Sequence, residues 1–154
     1  MPVGALCAGF DTVSVCLSKG LGTPAGTVLV GHRGLVDKAR RIRKMLGGGM
    51  RQVGILAAAG LYALDHHVER LAEDHANAER LARGLAAAGC EVETPQTNMV
   101  FVKVAKERCA GLQEHLAAQG VIAIVSPRTR LVTHLDVDAA GVDRAAEAFS
   151  SFRG

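Results

Sequence analysis

Ser14-Val15-Cys16-Leu17-Ser18-Lys19-Gly20-Leu21-Gly22-Thr23-Pro24-Ala25-Gly26 sets one lysine between a short apolar run and a loop punctuated by glycines. Asp11 to Ser18 is rich in Val, Leu, Cys and Ser, long enough for a strand and too short for a typical helix. Gly20, Gly22 and Gly26 break that run, and Gly26 to Gly31 reads as a second short strand bounded by glycines. Two strands joined by a loop would hold Lys19 firmly on both sides, as a catalytic lysine needs. An amine at the edge of an apolar strand loses hydration, which favours its neutral, nucleophilic form and prepares it to condense with a carbonyl. The glycines let a bulky ligand approach the backbone. On spacing alone the same pattern also describes a surface lysine at a strand end followed by a turn.

Downstream, His32 to Leu46 places Leu35, Ala39, Ile42 and Leu46 at helical spacing, while Arg33, Lys38, Arg40, Arg41, Arg43 and Lys44 stand against a single acid, Asp37. Basic runs of this kind are usually solvated or interface faces, and there are no interleaved aromatics for base stacking. Gly47-Gly48-Gly49 ends the helix and Arg51 is expected to open the next one. Free backbone N–H groups, Lys44 and Arg51 together make a candidate phosphate or carboxylate site. Two other phosphate motifs are excluded. Lys19 precedes its glycine, so Ser18-Lys19-Gly20 is no Walker A loop. Gly20 to Gly26 has one residue too many for a dinucleotide fingerprint, with Pro24 where the helix should begin.

Gln52 to Leu64 reads as a buried helix. Asp65 is expected to cap a long second one to Ala88, with Val68, Leu71, Ala78, Leu81 and Leu85 as its apolar stripe and Gly89 as its stop. A domain boundary is placed there, dividing 1–64 from 65–154. His66 and His67 lack metal-ligand spacing apart from the weak pair His66 with Glu69, and both read as surface histidines. His75 with Glu79 reads as an i,i+4 pair. No metal site is expected. Beyond Cys90 short strands and helices alternate: Asn98 to Val104, a helix from Lys106 to Gln119, a strand Val121 to Val125, a strand Arg130 to Thr133, and a last helix from Asp138 or Ala139 to Phe152. Strands packed against helices on one face make a small α+β layer domain. Arg130 is expected at the start of its strand, free to grip a carboxylate through two parallel bonds or to pair with Asp136.

Three stretches in order, Ser14 to Gly22, Lys44-Met45-Leu46-Gly47-Gly48-Gly49-Met50-Arg51-Gln52 and Arg130-Leu131-Val132-Thr133-His134-Leu135-Asp136-Val137, resemble the low-specificity L-threonine aldolases, pyridoxal-phosphate (PLP) enzymes of fold type I. The resemblance covers nearly the whole chain but only the downstream half of a family member. The ring-stacking His, the Asp that pairs with the pyridine nitrogen, the phosphate loop and a further Arg have no counterpart. The resemblance implies an α/β, PLP-dependent transferase-like fold, with the end of the large domain in 1–64 and a C-terminal α+β small domain in 65–154. It implies PLP as cofactor, Lys19 as its Schiff-base lysine and Arg130 as binder of the amino-acid carboxylate, with Arg128 second. Lys44 and Arg51 would serve the cofactor phosphate and substrate across the interface of a homodimer or homotetramer. The implied reaction cleaves L-threonine or L-allo-threonine to glycine and an aldehyde. No residue is identified as the base for the β-hydroxyl, and His134 is given a structural role.

Composition sets outer bounds. The 154 residues are 49% hydrophobic, 21% charged and 3% aromatic, so a core has to be built from Ala, Val and Leu. A net charge of +3 is too mild for a dedicated nucleic-acid binder. Cys7, Cys16, Cys90 and Cys109 are scattered, without a secretory signal before them, and are expected as reduced thiols of a cytoplasmic protein. No apolar run approaches the roughly 18 residues of a membrane span. Met1 to Phe10 reads as the tail of an element whose beginning is missing. The chain is therefore expected to be truncated and inactive alone. A non-catalytic descendant acting as an interaction module is the alternative, and a basic-helix nucleic-acid binder comes third.

Overall fold

Val13 faces Val30 and Val15 faces Val28 across an antiparallel pair of strands, β1 (Thr12–Cys16) and β2 (Thr27–Gly31), so the β-branched runs on either side of the lysine loop do form a hairpin. The computed structural model of the chain describes residues 2–153, which fall into two compact units meeting in sequence at Val68 and Glu69. A short helix, α1 (Val3–Cys7), precedes the hairpin, with Met1 outside the described residues. α2 (Arg33–Met45) and α3 (Gly54–His66) follow.

The first unit has little interior of its own. Among its described residues only Leu17, Thr23, Gly60 and Ala63 are buried. Every residue of β2 is exposed and α2 buries none. The expectation of a buried helix at Gln52 to Leu64 is corrected here: α3 is apolar all round, yet Ile55, Leu61, Tyr62 and Leu64 are exposed. A helix without a polar face belongs inside a larger core, and an isolated two-stranded hairpin is marginal in water. These elements have the composition of interior pieces and the exposure of surface ones.

The long helix expected from Asp65 is also corrected. Asp65 lies inside the last turn of α3, residues 67–70 turn, and α4 (Leu71–Ala87) starts with Glu73 and Asp74 in its first turn, where carboxylates favour the helix dipole. Val68, placed on the stripe, is exposed, while Ala78, Leu81 and Leu85 are buried.

In the second unit β3 (Glu91–Val92), β4 (Met99–Lys103) and β5 (Arg128–Val132) form an antiparallel sheet in the order β3-β4-β5. α5 (Cys109–Ala118), entered through one 3₁₀ turn, and α6 (Ala139–Ser151) complete the unit. Alternation sends Val100, Val102 and Thr129 into the interior, where they meet Leu81, Leu85, Leu112, Leu116, Val142 and Phe149. α4 and α6 approach so closely that a Cβ on Gly84 would lie 2.7 Å from that of Ala146. Asp138 caps α6, its Oδ1 accepting the Gly141 N–H at 2.7 Å.

Two strand expectations change. Val121 to Val125 forms no strand: Val121, Ala123 and Val125 pack on the core, while Ile122 and Ile124 are 96% and 87% exposed with no backbone partner among the described residues. Alternation supplied one packed face, and a strand also needs a neighbour for its backbone. β5 begins at Arg128 rather than Arg130, because Thr129 pairs with Val102 and fastens the preceding turn through its hydroxyl to Ser126. Arg130 therefore stands mid-strand, opposite Phe101.

Candidate active site

The loop that carries Lys19 is closed by its own backbone. Leu17 N–H donates to the Gly26 carbonyl at 3.0 Å, Thr23 N–H to the Leu17 carbonyl at 3.2 Å, and Gly22 N–H to the Lys19 carbonyl at 2.8 Å. The last bond closes a tight turn, and the chain leaves it through Gly22 at φ of +70°, a region most side chains avoid. Leu17 is the buried foot of the loop and sits against α3, where a Cβ on Gly60 would come within 3.1 Å of its Cδ1. Sequence spacing did not reveal the last tie: His67 Nδ1 donates to the Leu21 carbonyl at 2.7 Å. Since a carbonyl can only accept, the proton is on Nδ1. His67 was expected as a surface histidine; it is half-buried, and nothing local in sequence points to a partner 46 positions away.

Lys19 itself is exposed and has no ion pair among the described residues. The loss of hydration expected of it does not come from the described neighbours. Cys16 lies close by, its Sγ 3.5 Å from the Ser18 hydroxyl. The hydrogen bond from Ser18, assisted by the charge of Lys19, holds that thiol below its ordinary pKa.

At the end of α2 the Gly47 N–H reaches the Lys44 carbonyl and the Gly48 N–H the Arg43 carbonyl, at 3.1 and 2.8 Å, with Gly47 at φ of +87°. The Lys44 side chain folds over the glycine run, its Nζ 3.0 Å from where a Cβ on Gly49 would sit. Arg51 does not open α3, as expected, but lies in the turn before Gly54. Both cations are exposed and neither has an ion pair among the described residues. Among the described residues the basic face of α2 has one partner, Asp37, 3.5 Å from Arg40.

On β5, Arg128 and Arg130 share the outer face of the sheet, two residues apart. Arg128 forks onto Glu93 at 2.7 and 2.8 Å and lies 3.8 Å over the Phe101 ring. That bond holds the Glu93 carboxyl below the usual carboxylate range. The Arg130 guanidinium has no hydrogen bond or ion pair among the described residues. It does not pair with Asp136, whose carboxylate is instead 3.5 Å from His134 Nδ1. A groove of about 650 Å³ runs beside β5, with Arg130, Ile122, Ile124, Val132 and Arg144 among its walls.

The strand's exit is fixed from below. The Thr133 hydroxyl donates to the Asp74 carbonyl at 2.6 Å, Thr133 N–H donates to the Asn98 carbonyl at 3.0 Å, and Asn98 Nδ2 returns a bond to the Thr133 carbonyl at 2.8 Å. Asp74, 1% exposed, is itself paired with Arg70 at 3.0 Å. His75 and Glu79, expected as a pair, are not one: Glu79 meets Arg83 at 3.6 Å. Among the described residues no cluster of His, Cys, Asp and Glu suits a metal, and no helix is long and apolar enough to cross a membrane.

An exposed amine without an ion pair is able to condense with a carbonyl, and an open guanidinium is able to grip a carboxylate. The chain is 51% identical to the low specificity L-threonine aldolase of Escherichia coli K12 over 92% of its own length and 43% of that protein's. It is 38% identical to low-specificity L-threonine aldolase 1 of Arabidopsis thaliana, over 97% and 44%. It thus spans a little under half the length of these curated relatives. Serine palmitoyltransferase from Sphingomonas wittichii has the same fold over 96% of this chain and 40% of its own, with a TM-score of 0.79 at 20% identity. The resemblance drawn from three motifs and the fold type I expectation are both borne out. The family model described as beta-eliminating lyase matches residues 1–107, a span holding the lysine hairpin and the glycine run, and the chain belongs to that family.

Proposed function

We propose that this chain carries the lysine and arginine parts of a PLP-dependent aldolase site that cleaves L-threonine, L-allo-threonine and related β-hydroxy-α-amino acids to glycine and an aldehyde. The observation that carries the proposal is Lys19: an exposed amine, free of ion pairs among the described residues, on a loop closed by three backbone hydrogen bonds. The donor set fits the cofactor. Lys19 would hold its aldehyde carbon, and Lys44 and Arg51, flanking the glycine run, are suited to a phosphate. In the proposed assembly, a homodimer or homotetramer, those two cations are presented to a neighbouring subunit.

When bound, PLP supplies the electron sink for the carbon left by bond cleavage. The chain's own work is binding and orientation. Arg130, with its fork open, holds the substrate carboxylate so that the bond to be broken is fixed in direction. Lys19 belongs to the first unit and Arg130 to the second. Ring stacking, the partner of the ring nitrogen and the base for the β-hydroxyl are assigned to sequence beyond these 154 residues. The exposed faces of β2 and α3 support this, since they have the character of surfaces that further polypeptide covers.

The test is glycine release from L-threonine and L-allo-threonine with added PLP. The 154-residue chain alone is expected to show no appreciable turnover, and a polypeptide that adds the length present in the relatives is expected to be active and to lose activity on Lys19→Ala. Robust turnover by the short chain, or an active Lys19→Ala form of the longer one, contradicts the proposal.

A further inference from the structure

We infer that His67 is a positioning residue for Lys19, acting through the Leu21 carbonyl, an inference that rests on the reading of Lys19 proposed above. The loop from Leu17 to Gly26 is tied at its base by backbone bonds, but its far side is rich in glycine and retains much freedom to lose on ordering. Leu21 lies on that far side, and His67 supplies the hydrogen bond that joins it to α3, at 2.7 Å. The donor is itself held. His67 closes α3, its N–H bonded to the Ala63 carbonyl at 2.8 Å, and its ring stands edge-on to Tyr62 with centroids 5.5 Å apart. Leu17 against Gly60 fixes one end of the loop on the same helix. Lys19 thus stands between two attachments to α3, one apolar before it and one polar after it. Freeing the second lets the turn from Lys19 to Gly22 swing and spreads the directions its amine can take.

The tie needs an N–H at the ring position that faces the Leu21 carbonyl. Asn at position 67 can place an amide N–H where Nδ1 stands, whereas Ala cannot.

The experiment compares the unmodified chain with His67→Ala and His67→Asn by two readouts. The first is amide hydrogen exchange at Gly22 and Thr23. The second is the share of borohydride-trapped pyridoxyl label found on Lys19 relative to Lys38, Lys44, Lys103 and Lys106 after treatment with PLP. His67→Ala is expected to speed exchange severalfold and to lower the Lys19 share, His67→Asn to restore both, and the melting of the second unit to stay unchanged in each. Exchange that ignores His67, amides already unprotected in the unmodified chain, or failure of Asn to rescue overturns the inference. Exchange that follows His67 while Lys19 takes no label in any form overturns the role of Lys19 and leaves a purely structural tie.

Discussion

Arg128 is forked onto Glu93 and stacked over Phe101, whereas Arg130, two residues further along the same face of β5, has a guanidinium with no partner among the described residues. One guanidinium is committed to its own sheet and the other is left for a ligand. Arg128→Ala is therefore expected to destabilise the second unit, and Arg130→Ala to leave its stability within roughly 0.5 kcal/mol of the original. In a complete, active enzyme Arg130→Lys should weaken amino-acid binding by roughly 1.5–3 kcal/mol, the worth of a charged hydrogen bond. Thermal melts and substrate titrations check the two halves; an Arg130→Lys enzyme with unchanged affinity removes that residue from the site.

Gly84 faces Ala146 with no room for a methyl group. Alanine normally favours a helix interior over glycine by up to about 1 kcal/mol, but here the obstacle is a Cβ fixed to the backbone of α6. Gly84→Ala is expected to destabilise the second unit, with overpacking costing about 1–3 kcal/mol before that gain is subtracted. Chemical denaturation measures the sign, and a stabilised variant would mean that α4 and α6 separate easily.

Asp74 is buried against Arg70, and both keep one buried polar atom without a partner. Removing one member of such a pair strands the other, which typically costs about 3–5 kcal/mol. Asp74→Ala should fall in that range while the Thr133 exit of β5 keeps its protection, because the Thr133 hydroxyl bonds the Asp74 backbone carbonyl and the Thr133 N–H bonds Asn98. A double change of Arg70 and Asp74 to apolar residues should cost less than Asp74→Ala alone.

Arg80 holds Asp143 through two bonds of 2.6 Å, joining α4 to α6, and keeps its carboxyl below the ordinary carboxylate value. A carboxyl whose folded pKa is lowered adds stability above its unfolded pKa and loses it as pH falls through the folded one. Glu93 behaves in the same direction through Arg128. Stability of the second unit should therefore decline as pH falls below the ordinary carboxylate range. Asp143→Asn should be less stable at neutral pH and flatter over that fall. An unchanged acid slope would show that the pair is too well solvated to matter.

Much of this was legible in sequence, for identifiable reasons. Glycines bracket β1 and β2, and the spacing of Ala78, Leu81 and Leu85 marks the buried face of α4, because local chain chemistry decides both. Three motifs pointed to the family. What failed depends on partners that a sequence does not display. Val121 to Val125 alternates as a strand should, yet no strand among the described residues pairs with it. Gln52 to Leu64 is apolar enough for an interior, yet the described chain does not supply one. Arg128 and Arg130 are indistinguishable by spacing, and only the position of Glu93 separates them. His67 could not be singled out, since its value lies in a carbonyl 46 residues away.

The central claim is that Lys19 is the lysine that binds the cofactor covalently. Treating the chain with PLP, reducing with borohydride and mapping the modified peptides tests it most directly. The account predicts one dominant pyridoxyl-lysine, at Lys19, even where turnover is absent. Label distributed evenly over Lys38, Lys44, Lys103 and Lys106 as well would contradict it.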